Sequence, residues 1–196
     1  MQVDLEQLEK IQELAIVDDK CLCLPVLSEN NDGISSVADL TLFSLGAKKQ
    51  VNMGEGAIGF VRNVRQYEDV LVEKNDVLYN RHYSLDESAF LKEKSKVCIR
   101  KERINSIYRS CLPKFVQLHS GFQNWRFNIW VDNKDQVLKS IFEANLFASS
   151  HYKSQSDSCL VADSLHQHVI NLFNDFYYSE SQAFKTCEII NERLKK

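Results

Sequence analysis

A histidine and a lysine one residue apart, His151-Tyr-Lys153, followed by Asp157, carry the most direct chemistry in this chain. An imidazole nitrogen can attack phosphorus, and an ammonium beside it can hold phosphate oxygens. Such a trio suits a phosphodiesterase or a nuclease. It falls in the polar run Ser149–Ser158, which reads as a loop, and convergent geometry rather than spacing makes a site.

Three other sets invite a reading. His151, Cys159, His166 and His168 could suggest zinc, but two histidines two apart on a helix cannot face one point, and no C-x-x-C pair supports them. No metal is expected. Cys111 with His119, or Cys159 with His151, could form a nucleophile and base. Six cysteines and five histidines supply such pairs by chance. Gly54-Glu-Gly56-Ala-Ile-Gly59 matches the glycine pattern that brings backbone close to a pyrophosphate after a strand. A polar stretch, Ala47–Met53, stands where that strand should be, so a dinucleotide is not expected.

The segment Trp125–Ser181 has more order. It reads as a strand Phe127–Asp132, a turn Asn133-Lys134-Asp135, and a second strand over 136–142 that closes a hairpin. A strand Cys159–Ala162, Asp163 and an aromatic helix through Phe173, Phe176 and Tyr178 follow. In that order the segment resembles the second part of a phospholipase D-like half-domain. The resemblance places Asp132 at the motif aspartate, Lys134 in the next turn, and Ser140 at the serine of a Gly-Ser pair whose glycine is Lys139. It also places Trp125 and Phe127 where the family keeps its histidine and lysine. An indole and a phenyl ring offer neither a nucleophilic nitrogen nor a charge. The resemblance therefore implies a site without catalysis, with Asp132, Lys134 and Ser140 as ligand-binding candidates, and pairing of half-domains into a homodimer. Trp125, Trp130, Tyr177 and Tyr178 could contribute to that face.

The elements that must position these residues follow from periodicity. Leu5, Leu8, Ile11 and Ala15 predict an opening helix within residues 1–17, ended by Asp18 and Asp19. Cys21–Leu27 and Asp39–Leu45 read as strands, with a turn at Ser28–Gly33. Glu55–Leu71 shows Ile58, Val61, Val64 and Tyr67 at helical intervals. Asp86–Lys94 reads as a helix, Lys96–Arg100 as a strand, and Pro113 should break any helix across 106–118. Ser164 caps a helix with Val169, Leu172 and Phe173 on its face, and a short last helix closes the chain. Strands alternating with helices imply an α/β or α+β fold, a mixed sheet flanked by helices, in a single layered domain over 1–196.

Composition bounds the rest. The chain has 196 residues, 44% hydrophobic and 26% charged, with a formal net charge of −3. That balance excludes whole-chain disorder and gives no basic face for nucleic acid. No apolar run approaches the ~20 residues needed to span a bilayer. Without a signal-like start, the cysteines at 21, 23, 98, 111, 159 and 187 are expected to be reduced, in the cytoplasm. The sequence thus points to a regulatory or partner-binding domain of degenerate phospholipase D-like type, without cofactor and leaning away from catalysis. The alternatives are the phosphodiesterase or nuclease of His151 and Lys153, and an interaction protein of unrelated fold.

Overall fold

Two small sheets organise the chain, one within Met1–Lys94 and the other within Ser95–Lys196, which form two compact units. The computed structural model describes residues 15–27, 34, 37–62, 85–122, 125–153 and 159–195. In the first unit, β1 (Val17–Asp19) pairs parallel with β2 (Leu40–Ser44), which pairs antiparallel with β3 (Ala57–Val61). Period-two alternation turns Thr41 and Phe43 inward, with Leu45 just beyond the strand buried likewise. Leu45, Val51 and Phe90 are fully buried and form a small core with Leu24, Leu27, Met53, Ile58 and Leu85.

Thr41 breaks the pattern chemically. It is 1% exposed and its hydroxyl has no hydrogen-bond partner. A buried orphan hydroxyl costs on the order of 1–3 kcal/mol. Thr41→Val, nearly the same shape, should therefore stabilise the protein by about 1 kcal/mol, read as a raised urea midpoint at unchanged slope. An unchanged or lowered midpoint would contradict the account.

Helix α1 (Glu87–Cys111) leads from the first unit into the second. Val97, Lys101, Ile104, Asn105, Tyr108 and Leu112 are buried at helical spacing along it. Pro113 ends it, and the Gln117 side-chain amide donates to the freed carbonyls of Leu112 at 2.8 Å and Arg109 at 3.2 Å. The second sheet has the order β4 (Phe127–Trp130), β6 (Val169–Leu172), β5 (Ala148–Ser150), with both neighbours antiparallel to β6. Helix α2 (Lys134–Glu143) links β4 to β5, and α3 (Leu160–His168) links β5 to β6. All four residues of the central β6 are buried, as a strand covered on both faces requires. Helix α4 (Glu180–Leu194) starts on a capping box. Ser179 accepts from the Gln182 backbone N–H at 3.2 Å, while the Gln182 side chain accepts from the Ser179 N–H at 2.8 Å. Its inner face, Ala183, Cys187 and Ile190, closes the core over Phe127, Ile129, Ile170 and Leu172.

The mixed α/β architecture agrees with the sequence expectation, as do β2, the strand at 127 and the closing helix. Several local expectations do not survive. Residues 136–142 are helical, so the hairpin is absent: Val137 and Ile141 pack inward one turn apart. Residues 160–168 are helix and 169–172 strand, the reverse of the expected order. Lys96–Arg100 lies inside α1. Ala57–Val61 is a strand, with Ile58 opposite Phe43 and Phe60 opposite Thr41. Cys21–Leu27 is a turn and irregular chain rather than a strand. Of the opening helix, residues up to 14 lie outside the described residues, and Val17 begins β1. Ser28–Gly33 and the chain beyond Arg62 to Tyr67 also lie outside them.

Candidate functional site

At the carboxyl ends of the parallel pair β1 and β2, two connections meet. The turn after β1 closes with Cys23 N–H donating to the Lys20 carbonyl at 2.8 Å, and Lys20 N–H donates to Leu42 of β2 at 2.8 Å. The loop after β2 leaves at Leu45 and returns at Gly54, which bridges Gly46. Met53 N–H donates back to Leu45, and Leu45 N–H to Gly56, both at 2.9 Å. Gly54 and Gly56 have φ of 93° and 94°, a conformation that suits glycine and that a helix start could not use. Val51 pins the loop from inside at 0% exposure.

Lys49 stands on this loop, near enough for its charge to act on Asp19 at the end of β1. Asp19 accepts from the Cys21 N–H at 2.9 Å, and Cys21, through its side chain and then its backbone, holds the Asp19 carboxyl below the usual range, with a smaller pull from Lys49. Burial, and then Asp19, push the Cys21 thiol up, while Lys49 pulls the other way. Asp18 pairs with Lys20 at 3.2 Å. Adjacent residues of a strand face opposite sides, so the pair offers one carboxylate to each face. The result is a primary amine, an acid pair and a thiol at the carboxyl end of parallel strands, where open α/β sheets bind ligands.

The residues singled out from the sequence sit elsewhere. Asp132 is exposed in the turn before α2. Lys134 is buried, and its ammonium donates to Ser150 Oγ at 2.9 Å and to the His166 carbonyl. Ser140 donates within its own helix to Gln136 at 2.9 Å. His151 follows β5, and burial pulls its imidazole below the ordinary value. Its carbonyl is bonded by His166 Nδ1 at 2.7 Å. Lys153 is exposed, and Asp157 lies outside the described residues. His168 stacks on Trp130 at 4.5 Å and bonds the Ser164 carbonyl at 2.8 Å. Among the described residues no cluster of His, Cys, Asp or Glu could hold a metal ion. No helix among them is long and apolar enough to cross a membrane.

No family model and no curated protein matches this sequence. Solved structures do. The Helicobacter pylori aminotransferase of pseudoaminic acid biosynthesis is similar with a TM-score of 0.70 at 17% identity, over 99% of this chain and 64% of its own. A DegT/DnrJ/EryC1/StrS aminotransferase from Brucella abortus gives 0.64 at 15%, over 100% and 62%. A Streptococcus pneumoniae protein assigned as a sugar aminotransferase, solved in its PMP form, gives 0.63 at 15%, over 92% and 60%. This chain shares their fold. It spans about three-fifths of their length.

These matches, with the helix at Lys134–Glu143, overturn the phospholipase D-like resemblance. The degenerate regulatory domain and the phosphodiesterase or nuclease fall with it. Trp125 and Phe127 are not stand-ins for a lost histidine and lysine: Phe127 is a fully buried β4 core residue, and the Trp125 carbonyl accepts from Lys101. Lys49 and the aspartate pair escaped the sequence reading because Asp18 and Asp19 looked like a helix end and Ala47–Met53 like a bare interruption. The available signal was a lysine pair held between a strand and a glycine return, which makes a fixed loop rather than a linker.

Proposed function

We propose that this chain carries the cofactor-holding lysine of a PLP-dependent sugar aminotransferase, with Lys49 in that role. The reading is supported by Lys49 on the loop that leaves the carboxyl end of β2, near enough for its charge to act on Asp19 at the end of β1, in a fold shared with aminotransferases. PLP-binding proteins hold the group through a lysine amine and place an acid or arginine on the ring nitrogen. The donor set fits: Lys49 would hold the group, and one of Asp18 and Asp19 would face the ring nitrogen. When bound, PLP supplies an electron sink for charge developing beside an amino nitrogen. The protein supplies the rest. The Lys49 amine, once free, can carry a proton between carbon and nitrogen of a bound amino compound. Asp19, held ionised by Cys21 and Lys49, supplies fixed negative charge.

The test is direct. The chain is incubated with PLP, reduced with borohydride and mapped by mass spectrometry. A pyridoxyl mass on Lys49 supports the reading; none, or one spread over surface lysines, defeats it.

A homodimer in the cytoplasm completes the proposal. Six unpaired thiols suit a reducing compartment. Phe115, Phe147 and Tyr177 are 80%, 66% and 82% exposed, and Leu160 79%, which is much apolar surface to leave in water. Light scattering should return about twice the 22.7 kDa of one chain. A concentration-independent monomer would remove the dimer.

A further inference from the structure

Gln50 stands between Lys49 and the fully buried Val51 on the loop after β2. Its side-chain amide donates to the Leu22 carbonyl in the turn after β1, 28 positions earlier. That turn is set by bonds of its own: Asp19 accepts from the Cys21 N–H at 2.9 Å, and Cys23 N–H closes on the Lys20 carbonyl at 2.8 Å. Within the loop, Lys49 N–H donates to the Gly46 carbonyl at 3.1 Å. Neither of these sets crosses from turn to loop. The Gln50 amide does, next to Lys49 on one side and three residues from Asp19 on the other. It is a poor way to stabilise a fold. The bond is exposed, so water competes for both partners, while Gln50 Oε1 is buried with no hydrogen-bond partner among the described residues. An acceptor left in that state costs more than an exposed bond returns. Stability alone favours an apolar side chain of the same length.

We infer that Gln50 is a positioning residue, a latch that ties the Lys49 loop to the turn following the acid pair of β1 and so sets the amine and a carboxylate at one spacing. The inference rests on the cofactor role proposed for Lys49. PLP is a rigid ring with its aldehyde carbon and its ring nitrogen at opposite ends. A lysine and an acid that serve both ends must therefore keep a fixed separation. Two connections joined only at their strand ends would let that separation wander. Removing such freedom before the ligand arrives raises affinity, and a misplacement of about 1 Å at a reacting group can cost on the order of 10²-fold. Gln50 acts through the backbone of both connections, and the reacting groups are its neighbours'.

The experiment compares the full chain with Gln50→Met and Gln50→Glu. In Gln50→Met the urea midpoint should equal or exceed that of the wild type, because the buried unpaired oxygen is gone. Amide hydrogen exchange at Cys23 and Lys49 should nonetheless quicken about tenfold. The PLP concentration that half-saturates borohydride fixation on Lys49 should rise about tenfold or more. Gln50→Glu keeps the shape and the orphan oxygen but loses the donor. It should show the same faster exchange and weaker fixation without the gain in stability. Exchange and fixation at wild-type levels in both variants would overturn the latch. So would losses that track a lowered urea midpoint in Gln50→Met, the mark of a residue that only holds the fold together. A wild-type chain that fixes no PLP on Lys49 defeats the cofactor reading and this inference together, whereas wild-type fixation that both variants match defeats this inference alone.

Discussion

With Lys49 in the proposed role, Lys49→Ala should lower amino transfer by on the order of 10²–10⁴-fold, the range expected when a positioned proton carrier is removed. It should also abolish the borohydride-fixed pyridoxyl mass. The two readouts separate the roles of the residue. Lys49→Arg keeps the positive charge that Asp19 and Cys21 sense. A guanidinium stays protonated at every relevant pH and cannot act as the attacking amine. The arginine variant should therefore bind PLP reversibly, without fixation, and remain as inactive as the alanine variant. Lys48→Ala is the control. Lys48 is the neighbour with φ of 67°, a strain that alanine keeps, so fixation at position 49 should persist. Fixation surviving in Lys49→Ala, or lost only in Lys48→Ala, would move the site off Lys49. Asp18→Asn and Asp19→Asn, compared for PLP affinity, then show which carboxylate serves the ring nitrogen.

The legible parts of this fold were those where one period dominated. Asp39–Leu45, which alternates less cleanly but stops at Gly46, holds the strand Leu40–Ser44; Glu180–Leu194 repeats its apolar residues at helical spacing and is a helix. Failures arose where two periods overlapped. Val137, Leu138, Ile141 and Phe142 fit a helix by their i, i+4 spacing, yet the turn-like Asn133-Lys134-Asp135 suggested a hairpin. Val169–Leu172 is a short continuous apolar run, which periodicity cannot assign between buried strand and helix. Its place at the centre of a three-stranded sheet decides it. Val97–Ile99 looked like strand because of its β-branched residues, but tertiary packing along a 25-residue helix outweighs that preference. The candidate site was hidden for another reason. Lys49 and Asp19 lie thirty positions apart, and only the parallel pairing of β1 with β2 brings their connections to one end.

The same α1 packing carries the largest stability effect. Lys101 is 8% exposed, and its ammonium donates to Asn174 Oδ1 at 2.8 Å and to the Trp125 carbonyl at 2.9 Å. Asn174 is held in turn by donating to Asn105 at 2.9 Å. Burial, then Arg126, bring the Lys101 pKa down from 10.5 to about 8, against the opposing pull of Asp175 and Cys98. A base whose folded pKa lies below its unfolded value binds its proton less tightly when folded. Stability therefore rises with pH between about 8 and 10.5, and below 8 the charged form costs the fold roughly 3 kcal/mol. From pH 7 to 9 the gain from this one residue should be about 1.4 kcal/mol. Cys187 works against it: its folded value near 12 lies above the ordinary 9.0, so above about pH 9 unfolding gains by releasing that proton. The comparison must therefore be between variants. Lys101→Met keeps the length and removes the charge, but it leaves Asn174 Oδ1 and the Trp125 carbonyl without that donor. Each loss costs on the order of 1 kcal/mol, against the roughly 3 kcal/mol that the charge costs, so the variant should be about 1 kcal/mol more stable than wild type at pH 7. By pH 9 the difference should move by about 1.4 kcal/mol in favour of wild type and bring the two close to parity, read from urea midpoints at both pH values. Parallel pH dependence in the two proteins would mean that Lys101 keeps an ordinary affinity for its proton in the fold.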